Sequence, residues 1–265
     1  MTYGLWMARG PCILLDMLVV LARAVALMSL WTTPSMAAPP CGRSLTIAAI
    51  VQRGPTCAVA AVAMAARGLG AAIDLDELTR AIPVWRDGVS FFDLEDELAR
   101  RGLRSHTFRG DAALAARFVD AGVPVVVAVD LHGGKHALTL AAYEGTRSGG
   151  RCAPARLRGI DPWLGRPFEL TPQGLEKIQF GRQLFVLWPR EAGWEERIAA
   201  AGIDLAPLVA EDRRFRAEEL VLRAKQHPSP NAQMLSLLER AVAEDPSWAE
   251  ARALRDAVRR ALKAP

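Results

Sequence analysis

Four side chains spaced along this sequence carry the chemistry of acyl transfer: Gln52, Cys57, His136 and Asp161. Cys57 follows the turn-forming pair Gly54-Pro55 and opens the run Ala58-Val59-Ala60-Ala61-Val62-Ala63-Met64-Ala65-Ala66. No glycine or proline interrupts that run before Gly68, so it predicts a buried helix with a thiol in its first turn. Unpaired N–H groups and the helix dipole at that end favour a thiolate, the nucleophilic form of cysteine. The same N–H groups are donors for an oxyanion formed by attack at the sulfur. Taken alone, Cys57 is better explained as a small core residue. Its weight comes from its companions. A histidine takes the thiol proton and later protonates the leaving group. A carboxylate holds the imidazole in the right tautomer. A glutamine amide, with the Cys57 N–H, stabilises the tetrahedral oxyanion. A lone histidine, an Asp-Pro turn and a solvated glutamine each have plainer roles. The order Gln, Cys, His, Asp, each at the edge of an element, is what points to a site.

The elements that must position these groups are legible. Ser44 to Val51 reads as an extended lead-in, and the Cys57 helix ends at Gly68-Leu69-Gly70. Asp74 to Ile82 is a short helix with Asp74 as N-cap and Glu77 three residues on. Ser90 to Arg101 is another, with Phe91, Leu94 and Leu98 on one face. Leu103 to Phe108 is extended, and Asp111 to Ala121 is helical. The β-branched run Pro124 to Asp130 is a strand. Three more are expected at His136 to Glu144, Arg156 to Pro162 and Gln183 to Pro189, with a polar hairpin tip from Gly145 to Gly150. Helices followed by an antiparallel meander predict an α+β domain. If the strands starting at His136 and ending at Asp161 are antiparallel neighbours, those two residues meet at one sheet edge.

On these residues the chain resembles the papain-like cysteine peptidases that remove double-glycine leaders from bacteriocins and other exported peptides. The likeness runs from about Ile47 to Trp188. It rests on the Gln-turn-Cys helix, on Gly88-Val89-Ser90 with Leu94 and Gly102-Leu103, and on Ala121 to Val127. It also rests on His136-Ala137-Leu138-Thr139-Leu140 and on Ile160-Asp161-Pro162-Trp163-Leu164-Gly165. The resemblance implies a papain-like cysteine peptidase fold with N-terminal helices packed on an antiparallel sheet. It implies Gln52 as oxyanion residue, Cys57 as nucleophile, His136 as base and Asp161 as orienting acid. No transporter-like segment follows, so the free-standing branch is the one implied. The family usually has glycine directly after the cysteine, where this chain has Ala58. A peptide-binding protein on a degenerate peptidase fold is the alternative to an enzyme.

The chain has 265 residues, 51% of them hydrophobic, enough for one core and a helical appendage. Its net charge of +4 is scattered rather than striped, which argues against a nucleic-acid partner. The apolar core Leu18 to Leu30, followed by Ser35-Met36-Ala37, has the form of a signal peptide over 1–37; Arg23 splits the run and argues against an anchor. Export to the periplasm or medium is expected, with no membrane association beyond that segment. Residues 38–46 read as a linker, 47–190 as the peptidase domain and 195–265 as a helical appendage. Around Leu238 to Trp248 the appendage resembles a tetratricopeptide helix-turn, with Ser247 and Glu250 as a capping box, and offers a surface for a protein partner. Cys41 and Cys152 are a disulfide pair or two separate surface thiols. His132 and His136 are four apart, but Gly133-Gly134 between them breaks any helix, so neither a metal nor another cofactor is expected. Trp163, beside Asp161, is expected to wall the cleft.

Overall fold

The computed structural model describes residues 39–84, 88–131 and 133–263; the expected signal segment 1–37, Trp85 and His132 lie outside the described residues. Seven strands form one sheet: β1 (Pro40–Ser44), β2 (Leu103–Arg109), β3 (Val125–Leu131), β4 (Gly134–Ser148), β5 (Arg151–Asp161), β6 (Arg166–Leu170) and β7 (Gln179–Pro189). The order is β2-β7-β3-β4-β5-β6, with β1 paired to β4 and every pairing antiparallel. β3 to β5 follow the expected meander, and β6, not expected from the sequence, extends it. β7 departs from it by returning between β2 and β3.

Helices cover both faces. On one side lie α1 (Cys57–Gly68), α2 (Leu75–Ala81) and α3 (Phe91–Arg100), sharing a core with Val126, Ala137, Phe185 and Leu187. On the other lie α4 (Ala112–Asp120), α5 (Pro172–Ile178) and α6 (Trp194–Ala200), packed with Val125, Leu138, Leu140 and Tyr143. Local chemistry sets their starts. Asp74, Ser90 and Asp111 each accept a bond from a first-turn N–H, satisfying donors the helix leaves open. The α+β class with helices packed on an antiparallel sheet is therefore the observed one.

Two boundaries differ from expectation. Within the expected linker, Pro40–Ser44 form β1, which pairs with β4 from Pro40↔Thr146 to Ser44↔Ala142. A disulfide between Cys41 and Cys152 ties β1 to β5, 111 residues away. Closing a loop of that size removes unfolded-state freedom worth about 4–5 kcal/mol. The polar tip at Gly145–Gly150 shrinks to Gly149 and Gly150, since β4 runs on to Ser148 and β5 begins at Arg151. Both turn glycines take positive φ, which side-chain-bearing residues resist.

The C-terminal region is helical: α7 (Leu205–Lys225), α8 (Ala232–Glu244) and α9 (Ala249–Ala261) share a core around Leu220, Leu238, Ala251 and Val258. The expected capping box is absent. The Ser247 N–H and hydroxyl both donate to Asp245 Oδ1, at 3.0 and 2.6 Å, and Glu250 pairs with Lys225 at 2.8 Å. α7 docks on α3 and β2 through buried charge. Arg223 makes a fork to Asp93, with both bonds at 3.0 Å. The Thr107 hydroxyl donates to Glu95 Oε1 at 2.6 Å, and its N–H donates to Asp212 Oδ1 at 3.1 Å. Asp212 Oδ2 lies 2.8 Å from His106 Nδ1. Burial, then the neighbouring Asp212 carboxylate, hold the Glu95 pKa well above its usual range, against the opposing pull of Arg216.

A raised carboxyl pKa stabilises the folded chain below the ordinary glutamate value, and the benefit is lost as pH rises through the raised value. Glu95→Gln copies the protonated form. We expect it to leave Tm unchanged at about pH 4. Above neutrality it should raise Tm by about 2–4 °C, the response to about 1 kcal/mol in a chain of this size. Thermal melts across pH check this; equal melting temperatures at alkaline pH contradict it.

Candidate active site

α1 brings the thiol to the end of the sheet. Its residues from Val59 to Ala66 are fully buried, and their small side chains let the helix lie close against the strands. The Thr139 hydroxyl donates to the Ala61 carbonyl at 3.0 Å, fixing the helix to the strand that carries His136. The helix tip is left open. Thr56 occupies the N-cap position, but its hydroxyl donates to the Arg53 carbonyl at 2.9 Å, and no side chain caps the first turn. That turn also holds no acidic residue. The N–H groups around Cys57 therefore keep their capacity for an anion.

β4 and β5 place the histidine and the aspartate together, as antiparallel pairing requires. Thr139 pairs with Ile160 and Leu140 with Gly159, so Asp161 lies back along β4 toward His136. Gly159 permits the close approach, because a Cβ there would collide with the Thr139 carbonyl. His136 Nε2 lies 2.8 Å from Asp161 Oδ1, and that oxygen also accepts the Trp163 N–H at 2.8 Å. The imidazole is 8% exposed, and the Trp163 ring stands edge-on to it at 6.3 Å between centroids. Cys57 is partly exposed and close enough to act electrostatically on the same imidazole. Burial opposes the imidazolium, but the interactions with Cys57 and Asp161 outweigh it and raise the His136 pKa above its ordinary value.

Gln52 is held by the loop that follows Asp161. Its N–H donates to the Pro162 carbonyl at 2.8 Å. Gly165, at φ +61°, lets that loop approach Val51, whose Cγ2 lies 2.8 Å from where a Cβ would stand. The Gln52 Nε2 group donates one bond to the Gly54 carbonyl at 2.9 Å, leaving its second hydrogen uncommitted by that bond. Its Oε1 is buried with no hydrogen-bond partner among the described residues. The structure thus joins His136 to Asp161 directly, brings Cys57 within electrostatic reach of the same ring, and ties Gln52 to the loop after Asp161 through Pro162.

Two contributors escaped sequence reasoning. Thr139 reads as one more strand residue, and its bond to α1 has no local signal. The Pro162 carbonyl is backbone and has none at all. Trp163, anticipated as a wall, is 57% exposed beside the imidazole.

No family model matches the chain, and no curated protein matches it. Among solved structures, a double glycine motif protease from an AMS/PCAT transporter, crystallised in complex with the leader peptide, is similar at 15% identity and TM-score 0.42. The match covers 56% of this chain and 94% of that one. The peptidase domain of Streptococcus ComA, a bifunctional ABC transporter involved in quorum sensing, is similar at 13% identity and TM-score 0.44, covering 55% and 98%. The N-terminal peptidase-like domain of a toxin secretion ATP-binding protein from Vibrio parahaemolyticus is similar at 14% identity and TM-score 0.35, covering 51% and 94%. At these levels the likeness assigns no activity to this chain.

The raised His136 pKa has a sign that can be tested. The imidazolium bound to Asp161 adds stability that is complete below the ordinary histidine value and lost as pH rises through the raised one. Alkylation mapped to Cys57 at about pH 6 is expected to be on the order of tenfold slower in His136→Ala than in the native chain, because the cation beside the sulfur is gone. Asp161→Asn should move the basic limb of the pH profile to lower pH. Identical profiles in all three chains would break the proposed coupling.

Proposed function

We propose that this chain is a cysteine peptidase that hydrolyses peptide bonds through an acyl-enzyme, with Cys57 as nucleophile. The observation that carries this reading is the His136–Asp161 bond, made by the same imidazole whose pKa Cys57 raises. Asp161 occupies Nε2 of the ring, which leaves Nδ1 to exchange a proton with the sulfur. The thiolate attacks the peptide carbonyl carbon, forming a C–S bond as the carbonyl electrons move to oxygen. The Cys57 N–H and the second Nε2 hydrogen of Gln52 are assigned to that oxyanion. Collapse breaks the C–N bond, and the leaving amine takes its proton from the His136 imidazolium. His136 then deprotonates water, whose oxygen attacks the thioester and releases the acid and the thiolate. An amine in place of water would give acyl transfer with the same residues.

The Cys41–Cys152 disulfide supports export, since such bonds persist in oxidising compartments. The periplasm or medium is the proposed location, with residues 1–37 as the signal. The substrate is a peptide or protein, and the helical tail is proposed to engage a protein partner.

Two comparisons test the reading. Secreted peptides from cells carrying the native chain and from Cys57→Ser cells should differ by a set of uncleaved precursors seen only in the variant. With the purified chain, Gln52→Ala is expected to lower kcat about 10²–10³-fold, the weight of one oxyanion donor, while KM changes little. Peptide profiles that are the same with serine at position 57 would reduce the fold to a binding scaffold.

A further inference from the structure

On the sheet face opposite α1, a cavity of about 1300 Å³ opens between the β1–β4–β5 end of the sheet and helices α4 and α6. It lies far from the thiol. From His136 to Arg147 along β4 is roughly 35 Å of extended chain. Five arginines line the cavity: Arg43, Arg117, Arg147, Arg151 and Arg197. None of the five forms an ion pair with a carboxylate among the described residues. Other arginines of the chain are neutralised where they gather: Arg214, Arg216 and Arg223 each reach at least two carboxylates. The one carboxylate in this cavity, Asp120, accepts the Tyr143 hydroxyl at 2.7 Å. Burial, and then that bond, raise the Tyr143 pKa, so its phenol stays neutral and donating.

Guanidiniums stand at two glycines of the lining. Arg117 Nη1 donates to the Gly202 carbonyl at 2.9 Å, and Arg151 Nη2 lies 3.9 Å from where a Gly202 side chain would begin. Arg43 Nη2 and the Trp194 ring lie 3.5 and 3.8 Å from the same point at Gly122. Arg197 sits over the Trp194 ring at 5.0 Å. A concave wall of one sign focuses positive potential, and gathering like charges costs energy until a counter-charge arrives.

We infer that this cavity binds a small polyanion carrying several phosphate groups. Guanidinium forks match phosphate oxygens two at a time. A phosphate monoester brings close to two charges and three acceptor oxygens in one group, where a carboxylate brings one charge. The volume exceeds what a single phosphate fills, so several linked groups fit better than one. Free oligophosphates and phosphorylated lipid headgroups share this chemistry.

The test is calorimetric titration of the full chain with inorganic triphosphate, with hexaglutamate as the carboxylate control. Phosphatidylcholine vesicles, with and without phosphatidylinositol bisphosphate, form a second arm. Saturable binding of triphosphate, of the acidic vesicles or of both is expected, weakening as salt is raised. It should fall at least about tenfold in Arg147→Gln/Arg197→Gln, the weight of one charge-assisted hydrogen bond. Both substituted residues are exposed, so Tm and Cys57 alkylation should not change. Acidic-vesicle binding assigns a lipid source, and triphosphate binding alone assigns a free one. Failure of both phosphate probes, undiminished binding in the double variant, or equal affinity for hexaglutamate overturns the inference. Because binding is read without turnover, the result is independent of whether the chain cleaves peptides.

Discussion

The bond between His136 Nε2 and Asp161 Oδ1 is the contact on which the rest of the site depends. It spends one ring nitrogen on a carboxylate and so decides which nitrogen can serve the sulfur. It exists because two adjacent antiparallel strands run in opposite directions, so that the start of β4 lies beside the end of β5. The loop beyond Asp161 adds two further functions to the same point. Its Trp163 N–H bonds the same carboxylate oxygen, and its Pro162 carbonyl receives the Gln52 N–H. One strand end thus orients the imidazole, screens it with an indole and holds the amide proposed for the oxyanion. A shift of one residue in the β4–β5 register would turn Asp161 to the other face and dissolve all of these contacts.

The helical tail is joined to the domain by a different kind of contact. Its own core is small, and its attachment adds charge to apolar contact: Leu205 and Leu208 of α7 pack on the domain core, while Arg216 and Arg223 meet Asp93, Glu95 and Asp96 of α3. Buried charge of this type adds little net stability but fixes orientation, since a misplaced helix would leave carboxylates unpaired. Glu95 shows the limit of the arrangement. One of its oxygens receives the Thr107 hydroxyl, and the other has only Arg216 Nε, at 3.4 Å. That imperfect pairing beside Asp212 is the physical reason for its raised pKa. The tail is therefore a docked element whose seat is sensitive to proton binding.

Much of this was legible in the sequence, and the failures have physical causes. Asp74, Ser90 and Asp111 announce their helices because capping is chemistry between neighbours. Ser247 carries the same signal and fails, because Asp245 two residues earlier captures its hydroxyl and its N–H. β1 was hidden by Pro39-Pro40 and by a polar composition, since an exposed strand needs only a partner's backbone. β6 was missed for a related reason: Arg166–Leu170 is short, contains a proline and has no β-branched residue, and its pairing with β5 supplies what its composition lacks. The catalytic candidates could be named because each stands at an element's edge. The Thr139 and Pro162 contacts could not, because they depend on which elements become neighbours.

Ala58 shows how a departure from a family pattern can be read through packing. Where relatives by resemblance carry glycine, this chain places a side chain that is 5% exposed and lies within the α1 core. A methyl group there fills space against the sheet, so the substitution stiffens the first turn instead of blocking the sulfur. The cysteine stays partly exposed, and its helix tip stays free of side-chain caps. Thr56 turns its hydroxyl back to Arg53, and the donors it would otherwise have satisfied are left facing the thiol's surroundings. A purely structural helix has every reason to use that hydroxyl as a cap, which is worth about 1 kcal/mol. α6 and α9 also begin without a side-chain cap, but at α1 the uncapped turn carries Cys57 beside a histidine already bonded to an aspartate, and so leaves open donors next to a thiol.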